Sequence, residues 1–134
     1  MTVFLDTSAL VGLVIDGPAR PIVLEVLDGD PEWCASALAL PEALALAARL
    51  GDDDIVIEDL EDAIRLFWDR LAVVPVDQSC LDRAADISRS QPVRMSDAIH
   101  LSAAHRLPRP LRFVTFDPGQ IPVALSLGYD VVST

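Results

Sequence analysis

Short apolar runs alternate along this chain with longer stretches in which apolar residues recur every three or four positions. Thr2 to Leu5 is a β-branched and aromatic run that stops at Asp6-Thr7-Ser8, the pattern of a buried strand emptying into a turn. Helices are expected at about 8–15 and 18–29, the second opened by Pro18 and closed near Gly29. Within it, Ile22, Val23, Val26 and Leu27 make one apolar stripe. Trp33-Cys34-Ala35 is a candidate strand, and an alanine- and leucine-rich helix follows to Gly51, with Pro41 near its start or as a local kink. Gly51 to Asp54 reads as a solvated turn. The next helix, about 57–71, sets Ile57, Leu60, Ile64, Trp68 and Leu71 on one face and most of its acids on the other. Val73 to Val76 reads as a strand and about 79–90 as a helix, and Ser96 is placed to cap a helix running to about Arg106. Leu111 to Phe116 is a strand, about 118–127 a short helix, and Tyr129 to Val132 a last strand.

This alternation predicts an α/β fold, a three-layer sandwich in which helices flank a mostly parallel sheet of about five strands. In such sheets ligands bind beyond the carboxyl ends of the strands, where strand order reverses. Asp6 and Asp117 each end a predicted strand, so both belong on that rim although 111 positions separate them.

Composition narrows the class. A chain of 134 residues, 51% hydrophobic and 23% charged, suits one globular domain over residues 1–134, with a core that needs no disulfide. Cys34 and Cys80 have no metal-type spacing and read as buried free thiols. Uncharged runs such as Thr7 to Ile15 are too short to span a bilayer. The amino terminus lacks a basic region and Asp6 interrupts its apolar stretch, so no signal peptide is expected and the cytoplasm is the expected location. The net charge of −11 is uneven: residues 1–80 hold sixteen acids and four arginines, residues 81–134 five acids and six arginines, and lysine is absent. Bulk electrostatics will not draw this chain to nucleic acid, so any such chemistry must use bound metal, local arginines or a basic partner.

Four carboxylates stand out against that background. Asp6, Glu42, Asp97 and Asp117 each lie in or beside an apolar segment. A lone buried carboxylate shifts its pKa upward or requires a partner, because desolvating the anion is costly. Asp6 and Glu42 have no arginine within six residues, and Glu42 is the one charged residue between Trp33 and Ala48. A hard divalent cation held through oxygen would satisfy several such acids at once. Each acid also has a bland explanation: Asp6 as a helix N-cap, Asp97 favoured by a helix dipole, Asp117 as a turn residue before Pro118-Gly119. Glu42 has none so ready, since position 46 is Leu and offers no basic neighbour one turn on.

Taken together, Asp6-Thr7-Ser8-Ala9, the isolated Glu42, Asp97-Ala98-Ile99-His100-Leu101-Ser102-Ala103-Ala104 and Thr115-Phe116-Asp117 occur in that order over roughly residues 2–132. In this the chain resembles the PIN-domain nucleases, most nearly the VapC-type toxins of toxin–antitoxin pairs. The resemblance implies a PIN-like fold and a Mg²⁺- or Mn²⁺-dependent ribonuclease. It implies Asp6, Asp97 and Asp117 as metal ligands, direct or through water, and Glu42 as a ligand or as the base that orients an attacking water. Ser8 and Thr115 would bind metal waters or fix carboxylates, unless they serve as turn hydroxyls bonded to nearby backbone. The family further implies a homodimer and a cognate antitoxin whose arginine-bearing segment blocks the acidic groove.

Other readings fit less well. His100 and His105 lie five apart, not the four that aligns two zinc ligands on a helix; packing is the simpler expectation for His100. Arg94, Arg106, Arg109 and Arg112 are candidate phosphate contacts, or ordinary solvated arginines. A haloacid-dehalogenase-like phosphatase would need an acid two residues after Asp6, where Ser8 stands, and a lysine the chain lacks. A non-catalytic RNA- or protein-binding module would be marked by a missing acid, and all four are present.

Overall fold

The computed structural model describes residues 1–30 and 32–134. Strand β1 (Thr2–Leu5) is buried along its whole length, as expected of a short run with no polar side chain beyond Thr2. It pairs in parallel with β2 (Glu32–Ser36) on one side and with β4 (Leu111–Val114) on the other, with Phe4 opposite Cys34 and Phe113. Strands β3 (Ala72–Val74) and β5 (Asp130–Val132) extend the two flanks, giving the order β3-β2-β1-β4-β5 with every pair parallel. The chain thus builds outward from β1 through β2 and β3, then crosses back to lay β4 against the opposite edge of β1. That reversal opens a crevice at the carboxyl ends of β1 and β4.

Side chains alternate across the sheet and define two faces. Val3, Leu5 and Val114 pack with α1 (Thr7–Val14) and α2 (Ala19–Gly29), including Leu13, Val23, Val26 and Leu27. Beside them, Leu10, Val11 and Ala35 meet α3 (Ala39–Leu50) and α4 (Asp54–Trp68). Phe4, Cys34 and Phe113 turn the other way, onto α5 (Gln78–Ser90), α6 (Met95–His105) and α7 (Ile121–Ser126). The rings of Phe4 and Phe113 stack at 5.3 Å, and burying each such side chain stabilises the fold by about 1.5–3 kcal/mol. The result is the three-layer α/β sandwich expected from the sequence. Both cysteines are buried and free, as expected.

Helix α3 builds one wall of the crevice. Ala39, Ala43 and Ala47, four apart, are buried and small enough to bring this helix close to α1 and α4. The neighbouring positions 42, 46 and 49 then share a face that looks over the crevice. Pro41 lies in the first turn, where its missing N–H costs no helical bond, so it starts the helix and does not kink it.

Several boundaries differ from the sequence reading, each for a local reason. Helix α4 begins at Asp54 and not near 57, because the Asp53 carboxylate accepts from the Val56 N–H at 2.9 Å and caps it. Helix α6 begins at Met95: Arg94 holds the cap position in extended conformation, and the expected capping role of Ser96 is not realised. Strand β3 stops at Val74, ahead of Pro75, which has no N–H to offer a ladder. Strand β4 ends at Val114, and Thr115 and Phe116 leave it to enter the crevice wall.

Candidate active site

Asp6 caps α1 and forms the floor of the crevice. Its Oδ1 accepts from the Ala9 N–H at 2.9 Å and from the Ser8 hydroxyl at 2.7 Å. Its Oδ2 accepts from the Thr115 hydroxyl at 2.6 Å and from the Gln120 amide at 2.8 Å. Four donors from the described residues therefore occupy the roughly four lone-pair positions of one carboxylate. Asp6 is 1% exposed. Burial pushes its pKa up, and the bonds from Thr115, Ser8 and Ala9 work against that rise. The N-cap reading holds geometrically, but it uses one of the four bonds. Of the hydroxyls of Ser8 and Thr115, that of Thr115 bonds to nearby backbone as a turn hydroxyl would, whereas the backbone N–H that Ser8 meets belongs to a distant segment. Each donates to Asp6, while Ser8 Oγ accepts from the Phe116 N–H and Thr115 Oγ1 from the Asp117 N–H.

Glu42, on α3, forms part of the wall. Its Oε1 accepts from the Thr7 hydroxyl at 2.6 Å and stands 2.6 Å from His100 Nε2, which is also 3.1 Å from Thr7 Oγ1. His100 Nδ1 lies 2.9 Å from the hydroxyl of Ser36, at the carboxyl end of β2. His100 and Ser36 are both buried. The tautomer with its proton on Nε2 satisfies every member: Ser36 donates to Nδ1 and the ring donates to Glu42. That hydrogen bond from His100, assisted by Thr7, holds the Glu42 carboxyl below the usual glutamate range despite partial burial. Packing alone therefore does not describe His100, since both its ring nitrogens are engaged. The sequence did carry a signal for it. Glu42 has no basic neighbour, so its partner had to come from elsewhere in the chain, and His100 lies three residues from another of the acids.

Asp97 and Asp117 form the rim. Arg94, at the entrance to α6, reaches over the first turn to Asp97, with Nε 3.1 Å from Oδ2 and Nη2 3.4 Å from Oδ1. The same Nη2 lies 3.3 Å from Asp117 Oδ2. Asp117 Oδ1 accepts from the Gly119 N–H at 2.9 Å, so its turn-forming role is real as well. Gln120 Nε2 links floor and rim, donating to Asp6 Oδ2 and, at 3.3 Å, to Asp97 Oδ1. Gln120 was not foreseen, because a glutamine after a Pro-Gly turn carries no distinguishing pattern. Its Oε1 is buried without a partner among the described residues.

One cavity of about 410 Å³ collects these groups. All four acids line it, with Thr7, Ser8, His100 and Gln120. Thr115 stands behind Asp6, fully buried. Arg49, at the end of α3, lines the cavity without having been foreseen, and Arg94 joins it. Arg106 is instead paired with Asp77, and Arg109 donates to the Leu127 carbonyl. His105 is exposed while His100 is buried, so the two histidines share no ligand face.

Carboxylates and hydroxyls are the donors of choice for a hard divalent cation, and four carboxylates against two guanidinium groups leave the cavity acidic. The Oε1 of Gln120 adds a buried oxygen that no donor among the described residues satisfies. The residues fit such an ion in chemistry. As they stand, no three His, Cys, Asp or Glu side chains among the described residues are close enough together to enclose one. Arg94 and Gln120 occupy oxygens of Asp6, Asp97 and Asp117 in this arrangement.

A family model described as PIN domain matches residues 3–124. Over 106 residues the chain is 31% identical to Ribonuclease VapC45 of Mycobacterium tuberculosis, spanning 76% of this chain and 74% of that relative. Its fold is similar to a chain of a toxin–antitoxin complex from Klebsiella pneumoniae, with a TM-score of 0.69 at 20% identity over 98% of this chain and 96% of the other. It is also similar to VapC20 of M. tuberculosis, a sarcin–ricin-loop-cleaving toxin, with a TM-score of 0.70 at 16% identity over 90% and 94% of the two chains. The structural likenesses establish a shared fold, and the family model with the sequence relative establishes descent: this chain belongs to the PIN-domain family, in its VapC branch.

Proposed function

We propose that this chain is a divalent-cation-dependent ribonuclease, the toxin of a toxin–antitoxin pair, which hydrolyses RNA phosphodiester bonds in the cytoplasm. The observation that carries the reading is the convergence of Asp6, Glu42, Asp97 and Asp117, from the end of β1, α3, α6 and the turn after β4, on one cavity. Asp6, Asp97 and Asp117 would hold Mg²⁺ or Mn²⁺, directly or through water. Such an ion supplies charge neutralisation at the phosphoryl oxygens and makes an attacking water more acidic. Ser8 and Thr115 keep both oxygens of Asp6 fixed in direction. Glu42, kept ionised by His100, is a ligand or orients the water whose oxygen forms the new bond to phosphorus. The ester oxygen departs with a proton, leaving one phosphate end and one hydroxyl end.

The relative named a ribonuclease supports RNA as substrate, and the similar toxin–antitoxin complex supports an antitoxin as partner. The chain's charge of −11 favours a basic antitoxin segment, and a homodimer would double the acidity such a segment meets. Among the described residues, no helix is long and apolar enough to cross a membrane. The phosphatase reading loses ground because the chain has no lysine for it. Ser8 also stands where that family needs its second acid.

The test is incubation of the purified chain with structured RNAs in Mg²⁺ or Mn²⁺, with and without chelator, beside Asp6→Asn and Glu42→Gln. Cleavage is expected to require metal and to vanish in both variants while circular dichroism stays native. Cleavage indifferent to chelator would overturn the metal reading, and a phosphoryl group trapped on Asp6 would favour a phosphatase.

A further inference from the structure

The rim holds a cation of the protein's own. Arg94 is mostly exposed, its side chain 75% accessible, yet its guanidinium contacts carboxylates from two separate elements: Asp97 on α6 and Asp117 after β4. Twenty residues separate those acids in sequence, and Arg94 is the group that bridges them by charge. An exposed arginine held by contacts of 3.1 and 3.4 Å to Asp97 and 3.3 Å to Asp117 is weakly tied and exchanges its partners readily. Asp97 and Asp117, the carboxylates it holds, are ones that would hold a divalent cation at this site. A guanidinium and a metal ion repel, so both cannot be held fully by the same two carboxylates. Arg94 is nevertheless anchored at the lip of the cavity by the start of α6 and cannot leave. Its planar fork suits the paired oxygens of a phosphodiester as well as those of a carboxylate.

We propose that Arg94 is a tethered counter-ion that competes with a divalent cation for Asp97 and Asp117, and that serves as a phosphate-binding residue for the RNA backbone once those acids are neutralised. This rests on the ribonuclease reading for its second half. The first half concerns metal binding alone. It predicts effects of opposite sign from one substitution, which a merely structural arginine would not give.

The experiment uses the full chain with Arg94→Gln and Arg94→Lys, and titrates Mn²⁺ by the loss of the free-ion electron paramagnetic resonance signal. Arg94→Gln should bind Mn²⁺ about two- to fivefold more tightly than wild type, the range an exposed ion pair can supply. Arg94→Lys, which keeps the charge, should stay near wild type. In RNA cleavage at saturating Mn²⁺, Arg94→Gln should raise KM several-fold with kcat little changed, and Arg94→Lys should recover part of that loss. Mn²⁺ binding by Arg94→Gln that equals or falls below wild type overturns the competition, and an unchanged KM overturns the phosphate role. If wild type binds Mn²⁺ but cleaves no RNA, the ribonuclease reading and the phosphate role fall together, while the Mn²⁺ comparison still decides the competition. A wild type that binds no Mn²⁺ overturns both halves.

Discussion

Asp6 and Glu42 line one cavity, yet Asp6 is buried under four hydrogen bonds while Glu42 stays partly exposed and concentrates two bonds on a single oxygen. Their environments pull in opposite directions. At Asp6, desolvation outweighs the donors and favours the protonated form. At Glu42, the bonds from His100 and Thr7 outweigh a milder desolvation and favour the anion. The floor of the site is thus a charge held at a cost to stability, and the wall is a charge that helps hold α1, α3 and α6 together. The same chemical group, placed deeper in the fold, changes from a cement to a strain. A strained group is expected where function needs it and packing does not.

The largest effect that sharpens this contrast comes from neutralising each acid in turn. Asp6→Asn and Glu42→Gln should both abolish cleavage. In metal-free protein, however, Asp6→Asn should raise Tm. The neutral amide removes the desolvation penalty. Glu42→Gln should lower Tm, because His100 and Thr7 lose a charged acceptor. Thermal melts in chelator measure both, and shifts of the same sign would dissolve the distinction between floor and wall.

A smaller effect should follow from the histidine behind Glu42. His100→Ala leaves the buried Ser36 hydroxyl without its partner, which is expected to cost about 1–3 kcal/mol of stability. It also frees the Glu42 carboxylate to turn, and cleavage should fall by about 10–100-fold, as for other groups that orient a reacting carboxylate. The two ring nitrogens can be separated. His100→Gln places an amide near the Nε2 position and should retain more activity, while His100→Asn reaches only the Nδ1 position and should retain more stability. Equal behaviour of the two would show that His100 acts by volume alone.

The architecture is legible in the sequence because it rests on local pattern. The short apolar runs and the period-three-to-four stretches mark β1, α2 and α4 within a few residues, and the isolation of Glu42 among alanines and leucines points to a site before any contact is known. What escapes are relations made by topology. His100 meets Glu42 across 58 residues, Gln120 meets Asp6 across 114, and Arg94 meets Asp117 across 23. Arg49 enters the cavity because Ala39, Ala43 and Ala47 fix the roll of α3, which no property of the arginine itself announces. The start of α6 is misread for a related reason. Ser96 has the chemistry of a cap, but the helix begins earlier, at Met95, with Arg94 at the cap position where it can reach both rim acids.

The smallest expected effect is in the pH dependence of stability, and its sign follows from the contrast between floor and wall. Asp6 has a folded-state pKa raised above the ordinary 3.8, so its stabilising contribution is fully present below that value and is lost as pH rises through the raised pKa. Glu42 has a folded-state pKa lowered below the ordinary 4.5, so its contribution is present above that value and is lost as pH falls through the lowered pKa. The Tm advantage of metal-free Asp6→Asn over wild type should therefore be small in acid and widen as pH climbs above 3.8. The Tm deficit of Glu42→Gln should be full above 4.5 and close as pH drops below it. Melts of the three proteins in chelator across this range, at one ionic strength, give two difference curves. Both should rise in magnitude with pH while carrying opposite signs. A flat curve for Asp6→Asn would mean that its four donors cancel desolvation completely, and the floor would then be as relaxed as the wall.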